Sequence, residues 1–315
     1  MAAIDRQTPL RVAVLAGGKS AEREISLASG ICVAAALEEI GHRVRSIDPA
    51  EVDLVDVDWR QFDACFIALH GGAGEDGRVQ RLLDSLHVRY TGSRADASQL
   101  AMSKSASKMR FTRRGIPTPE YALLHRNEPF QTLAVRAESV GYPLVIKPDA
   151  QGSSLGVGIA HDLDELQLRV AESQFYDPFI LAEQYIAGRE ITVAVLGREP
   201  LPVMEVVSRG GVFTYAAKYE ELTTEYIFDP DLSRAKLREI ESIALAACEA
   251  LQTDGLVRVD LRLDEDERPW VLEVNTVPGM TERSMAPRAA AQKGMEMPEL
   301  CDYLLRSCLA AELTS

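Results

Sequence analysis

The sequence predicts a mixed α/β and α+β architecture of three domains, the first a small doubly wound parallel sheet. Three observations carry this expectation. The chain has 315 residues, more than one core of ordinary size organises. Residues 1–93 run strand, helix, strand, strand, helix, with glycines where strands end, the order of a parallel sheet wound by helices. Beyond them strands also follow one another directly, which reads as a smaller α+β unit over 94–183 and a second unit over 184–315.

Taken in order, residues 10–16 form a short, mostly apolar run closed by Gly17-Gly18, as a buried parallel strand is. Ser20 is placed to cap the following helix, Glu24 adds an acidic residue to its first turn, and the helix is expected to reach Ile40 and stop at Gly41. Residues 42–47 and 64–69 are the next strands, and the second ends in His70-Gly71-Gly72. A helix follows over 78–86. A helix near 104–114 ends at Gly115, after which Pro117 and Pro119 impose an extended link. A strand at 144–147, a Gly/Ser loop at 151–158, a helix at 163–172 and a strand at 179–183 complete the middle unit. Residues 190–196, 202–208 and 212–217 read as successive strands, and 219–232, polar and without period, as a mobile loop. Ser233 caps a long helix over 233–252, strands follow at 256–263 and 270–274, and two helices close the chain.

Composition narrows the class of function. With 46% hydrophobic and 26% charged residues the chain is a soluble globular type. A formal net charge of −14 disfavours nucleic acid or an anionic membrane as partner, since both need a broad basic face. An anionic ligand remains open if a few cations are well placed. The five cysteines form no CxxC pair and read as buried thiols of a reducing compartment. The first residues carry no apolar signal-like segment and no apolar run is long enough to span a bilayer, so the expected location is the cytoplasm.

Four stretches carry chemistry. Gly18-Lys19-Ser20 ends like a phosphate-binding loop, but Ala13 stands where that motif needs its first glycine, so a tight strand-to-helix turn is the better account. Glu22, Arg23 and Glu24 begin a helix at a sheet edge. They serve either the helix dipole or a ligand, and the residues alone leave both open. His70 precedes a loop with four glycines in eight residues, whose N–H groups are open to a ligand; the histidine itself reads equally as structural. Lys147 ends a strand before Gly152-Ser153-Ser154, a cation beside a loop of donors that suits a triphosphate. The strongest set is Arg258-Val259-Asp260 with Glu273-Val274-Asn275. If the two strands pair, Arg258, Asp260, Glu273 and Asn275 share one face, a costly group on an apolar sheet without a ligand such as magnesium.

The motifs AEREIS, LHGGAGEDG, KPDAQGSSLGVG, EQYIAGREIT, AAKYEE, RVDLRL, LEVNTVPGMT and RSM occur in one order over about 11–295. In that order and spacing the chain resembles the D-alanine–D-alanine ligase family of the ATP-grasp superfamily. The resemblance implies a three-domain ATP-grasp fold and ligation of two D-alanine molecules through an acyl phosphate, with release of ADP and phosphate, for peptidoglycan precursor synthesis. It implies that Lys104, Lys147 and Lys218 contact ATP phosphates, that Glu183 and Ile186 face the adenine, and that Glu190 faces the ribose. Asp260, Glu273 and Asn275 would hold two magnesium ions, or manganese. Glu22 would take the ammonium of the first D-alanine, with His70 nearby, and Ser153 and Tyr219 would join Glu22 in a hydrogen-bonded set. Arg258 and the Gly279 N–H would stabilise the oxyanion, and Ser284, beside Met285, would bind the second D-alanine. A homodimer is also implied. The family's usual lysine, serine and leucine are Gln184, Val277 and Met285 here. Tyr219 goes with D-alanine rather than D-lactate as second substrate.

The competing expectation is an ATP-grasp ligase with another second substrate such as D-serine, kept open by Met285. A non-catalytic nucleotide-binding module predicts loss of a metal ligand or of Arg258, and none is lost. A nicotinamide-dependent dehydrogenase needs GxGxxG after Leu15, where the chain has Ala16-Gly17-Gly18-Lys19-Ser20-Ala21.

Overall fold

The computed structural model describes residues 8–207 and 225–310. The first sheet is parallel, in the order β2 (Arg43–Ile47), β1 (Arg11–Leu15), β3 (Ala64–Ile67). It is wound by α1 (Arg23–Glu39) and α2 (Arg78–Ser85). Alternation along β1 divides its side chains between two faces. Val12 and Val14 pack with Val33 and Leu37 of α1, while Ala13 and Leu15 pack with Val79 and Leu83 of α2. Two short helices follow, α3 (Ala95–Met102) and α4 (Lys104–Arg113), the second capped by Ser103, whose hydroxyl accepts from the Ala106 N–H.

The second sheet is built from β4 (Tyr121–His125), β5 (Leu144–Pro148), β6 (Gly158–Ala160) and β7 (Phe179–Gln184), in the order β4-β7-β5-β6, all antiparallel. Its apolar face is covered by α5 (Phe130–Glu138) and α6 (Leu163–Ser173), which bury Leu133 and Leu166 against Leu144, Ile146 and Ile180.

The third sheet holds β8 (Arg189–Leu196), the short β9 (Glu199–Pro200), β10 (Met204–Val207), β11 (Glu225–Phe228), β12 (Leu256–Leu263) and β13 (Pro269–Asn275). Its path is β11-β10-β8-β12-β13, with β9 paired to β8. One face is covered by α7 (Arg234–Leu251), capped by the Ser233 hydroxyl, together with Phe111 of α4 and Ala101 of α3. The other shares its core with the first sheet: Ala194 and Leu256 join Val12, Phe66 and the closing helices α8 (Met285–Gln292) and α9 (Met297–Ala310). Helix α9 therefore runs back to cover the first sheet, with Leu300, Leu304 and Leu305 buried there.

Three expectations are corrected. Ser20 is not the cap of α1. Glu22 holds that position without a side-chain cap bond, and the Ser20 hydroxyl instead donates to the His70 carbonyl at 2.6 Å. The loop expected over 219–232 contains β11, an edge strand on β10. The elements α3, β4, α5 and β6 were not expected; α3 buries only small residues (Ala95, Ala97, Ser98, Ala101), so no strong apolar stripe announces it. The expected strand 212–217 lies outside the described residues.

Candidate active site

The third sheet sets the geometry of the site. In the β12–β13 pair Arg258 faces Asn275 and Asp260 faces Glu273, so the four side chains share a face as the i, i+2 spacing requires. Arg258 grips Asp260 with two bonds of 2.8 Å each, and Thr192 on β8 donates to Asp260 Oδ1 at 2.8 Å. Opposite, Lys104 at the start of α4 lies 3.2 Å from Glu273 Oε2 and donates to the Gln151 carbonyl at 2.7 Å. Burial opposes the Lys104 charge, but Glu273, Asp149 and Glu183 more than offset it and raise its pKa. Each carboxylate is thus balanced by one cation, which makes the polar group tolerable on an apolar sheet.

These residues divide a wide cleft from a narrower one. The wide cleft, of roughly 450 Å³, is lined by Glu22, His70, Lys104, Ser153, Arg258, Glu273, Asn275, Gly279, Ser284 and Met285. The narrower one, of roughly 110 Å³, is lined by Lys147, Glu183, Gln184, Ile186, Glu190 and Asp260. Lys104, Gln151 and Glu273 line both.

In the wide cleft Glu22, 7% exposed, is reached by the Ser153 hydroxyl from the loop after β5. The carboxylate is turned from its own helix toward that loop, which is why it caps nothing. Gly71 makes room for it: its φ is +67°, and a Cβ there would stand 2.4 Å from Glu22 Oε2. Gly279 faces Ser284, where a Cβ would meet Oγ at 2.7 Å. The Ser284 hydroxyl also accepts from the Thr281 N–H at 3.0 Å. The His70 ring lies beneath this loop, bonded to Ser29 and to the Val277 carbonyl.

The narrower cleft has a charged floor and apolar walls. Lys147 and Lys108 both pair with Glu183, Lys147 at 2.7 Å. Burial alone would raise the Glu183 pKa, yet the two ammonium groups more than offset it and hold it below the usual value. Burial pushes the Lys108 ammonium down to about 8, against the pull of Glu183. Arg262 fixes the far side by donating to the Ile186 and Gly188 carbonyls and pairing with Glu190 at 3.3 Å.

Every described residue expected at the site therefore lines one of two adjoining clefts. Lys218 and Tyr219 lie outside the described residues. Three residues were missed. Arg262 was legible, since it continues the alternation Arg258, Asp260 along β12. Lys108 carried no signal, being one cation in a helix of several, and Ser29 none, being a small residue within α1. Among the described residues no group of three or more His, Cys, Asp or Glu is arranged to hold a metal ion. The oxygen set here is two carboxylates and an amide, hard donors suited to a magnesium ion that shares itself with phosphates. Asn275 Oδ1 accepts from the Val277 N–H at 2.9 Å and keeps a second lone pair.

Comparison with known proteins identifies the family. The family described as D-ala D-ala ligase C-terminus matches residues 111–306, and that described as D-ala D-ala ligase N-terminus matches residues 49–93. The chain is 42% identical over 305 residues to a D-alanine–D-alanine ligase of Synechococcus sp. (strain JA-3-3Ab), covering 95% of this chain and 94% of the relative. It is 43% identical over 299 residues to one of Nitrosomonas europaea, covering 95% and 97%. Among solved structures it is similar to the D-alanine–D-alanine ligase of Bacillus anthracis, with a TM-score of 0.85 at 34% identity, covering 95% of this chain and 97% of that one. The ATP complex of the Bacillus anthracis ligase gives a TM-score of 0.83 at 32% identity, with the same coverage.

Proposed function

The chain belongs to the D-alanine–D-alanine ligase family, and from that premise we propose that it joins two D-alanine molecules into D-alanyl-D-alanine, cleaving ATP to ADP and phosphate. The dipeptide serves peptidoglycan precursor synthesis. One observation carries the reading: Lys104 and Glu273 line both clefts, so a nucleotide over Lys147, Glu183, Ile186 and Glu190 directs its phosphates toward Glu22, Arg258 and Gly279.

Glu22 binds the ammonium of the first D-alanine, with Ser153 fixing the carboxylate and His70 beneath. The substrate carboxylate oxygen attacks the γ-phosphorus, ADP departs with the bonding electrons, and an acyl phosphate results. Positioning does most of that work, and Lys104 and Lys147 hold the transferring charge. Asp260, Glu273 and Asn275 would hold magnesium, which when bound would supply charge neutralisation at the phosphates. The second D-alanine, its carboxylate on Ser284 and its methyl group near Met285, attacks the acyl carbon as a neutral amine. The carbonyl electrons move to oxygen, where Arg258 and the Gly279 N–H receive them, a type of contact worth about 3–4 kcal/mol per donor. Collapse expels phosphate, which takes the amine proton.

Three units, over 1–93, 94–183 and 184–315, each centred on one sheet, two magnesium ions, a homodimer and a cytoplasmic site of action belong to this proposal. Among the described residues no helix is long and apolar enough to cross a membrane. The test is purified protein with ATP and magnesium in parallel tubes of D-alanine, L-alanine, and D-alanine with D-serine, read for phosphate and for dipeptide mass. D-Alanyl-D-alanine matched by phosphate is expected from D-alanine alone. Phosphate with only the mixed D-alanyl-D-serine product would move the assignment to the D-serine ligase.

A further inference from the structure

We infer that Ser29 is a positioning residue for ligation, acting with His70 to set the direction of the Gly279 N–H; this rests on the ligase reading above. The loop over residues 277–280 passes above α1 with its neighbouring peptide groups fixed in turn. The Val277 N–H donates to Asn275 Oδ1 at 2.9 Å. The Val277 carbonyl accepts from His70 Nδ1 at 3.0 Å. The Met280 N–H donates to Ser29 Oγ at 3.1 Å. Ser29 Oγ and His70 Nε2 lie 2.8 Å apart. In the tautomer that donates through Nδ1, Nε2 is the acceptor, so the Ser29 O–H donates to it while Oγ accepts from the Met280 N–H. The carboxylate of Glu75, 3.8 Å from Nδ1, favours the same protonated Nδ1. Both relay residues are buried, Ser29 at 0% and His70 at 4% exposed, so water does not compete.

The relay fixes the peptide planes on either side of the 278–279 peptide. The Gly279 N–H between them has no hydrogen-bond partner among the described residues, and Gly279 lines the wide cleft. Packing also pins the loop, with Val277 in the core beside α2 and Met280 in the core beside α1. Apolar packing is not directional, however, and a glycine leaves the adjoining peptide free to rotate. Hydrogen bonds fix orientation where packing fixes place. The sequence forces the contact from the helix side too, since Ser29 and Ser26 lie one turn apart on α1 and Ser26 holds the Gly17 N–H and the Ala68 carbonyl.

The test uses the full chain with Ser29→Ala and the near-isosteric Ser29→Cys, whose thiol is a weaker donor. Three quantities are read: dipeptide kcat, KM for ATP, and exchange of ¹⁸O between bridging and non-bridging positions of ATP, which reports reversible acyl-phosphate formation. Ser29→Ala is expected to lower dipeptide kcat about tenfold to a hundredfold while exchange and KM stay within about twofold, with Ser29→Cys between parent and alanine. Parental dipeptide kcat in Ser29→Ala overturns the inference. So does a loss of exchange in the same proportion as ligation, or a Ser29→Cys rate no better than that of Ser29→Ala, because each describes a general structural loss. A parent protein that makes no dipeptide overturns the ligase reading itself, and is seen before any variant is made.

Discussion

Glu183 is 2% exposed, and two ammonium groups close on its carboxylate, Lys147 from β5 and Lys108 from α4. Lys147 lines the narrower cleft and Lys108 does not, so on the proposed reading Lys108 acts through Glu183. Lys108→Met leaves a buried carboxylate with one partner. We expect it to lower stability by about 1–3 kcal/mol, the scale of one lost charged contact at a buried carboxylate that keeps its second cation. KM for ATP should rise with it; chemical unfolding and ATP titration of the initial rate check the two effects. At the reaction centre, Arg258→Ala and Glu273→Gln should each reduce dipeptide formation by at least about a hundredfold, the scale of a lost oxyanion or phosphate contact. Near-parental turnover in either variant would remove that residue from the proposed machinery. The pairing of Arg258 with Asp260 and of Lys104 with Glu273 was legible as charge on an apolar sheet. The Glu183 triad was not, because Lys108 meets it only when α4 packs against the middle sheet's edge.

The turn from β1 into α1 depends on a neighbouring strand. Asp48, just beyond β2, accepts from the Gly18 and Ala50 N–H groups and pairs with Arg23. Burial opposes its ionisation, but Arg23 and the two N–H groups outweigh that and hold the carboxyl at about 2, below its usual 3.8. The folded state therefore releases this proton more readily than the unfolded chain. The resulting stabilisation, on the order of 2 kcal/mol, is complete above about pH 5 and is lost as pH falls through about 2. Asp48→Asn should lower the melting temperature at pH 7, and the gap to the parent should shrink steadily as pH falls from about 5 towards 2. A gap constant with pH would mean that the charge is not what holds the turn. Elements with a strong pattern were legible: β12 falls at the expected residues, and α7 begins after its Ser233 cap. Those without one were not. Helix α5 starts after Pro129 with no side-chain cap, and β11 is four residues of edge strand in a polar stretch. Long-range pairing makes β11 a strand, and no local signal reports that.

At the scale of the whole molecule, the wide cleft draws on all three sheets: Glu22 and His70 from the first, Ser153 from the loop after β5, and Arg258, Glu273 and Asn275 from the third. A chain of net charge −14 must gather its cations to hold a triphosphate, and Lys104 and Lys147 are gathered at the narrower cleft. The sequence motifs named these residues without saying how α9 folds back over the first sheet or how α4 reaches the second, since those contacts depend on packing between distant segments. On the proposed reading, two adjoining clefts that share Lys104 and Glu273 join phosphoryl transfer to ligation through an acyl phosphate. The most direct test of that reading is turnover of D-alanine labelled with ¹⁸O in its carboxylate, with the released phosphate read by mass. Attack of the carboxylate on the γ-phosphorus predicts one ¹⁸O in phosphate for each dipeptide formed. Unlabelled phosphate, or label appearing in AMP, would contradict it.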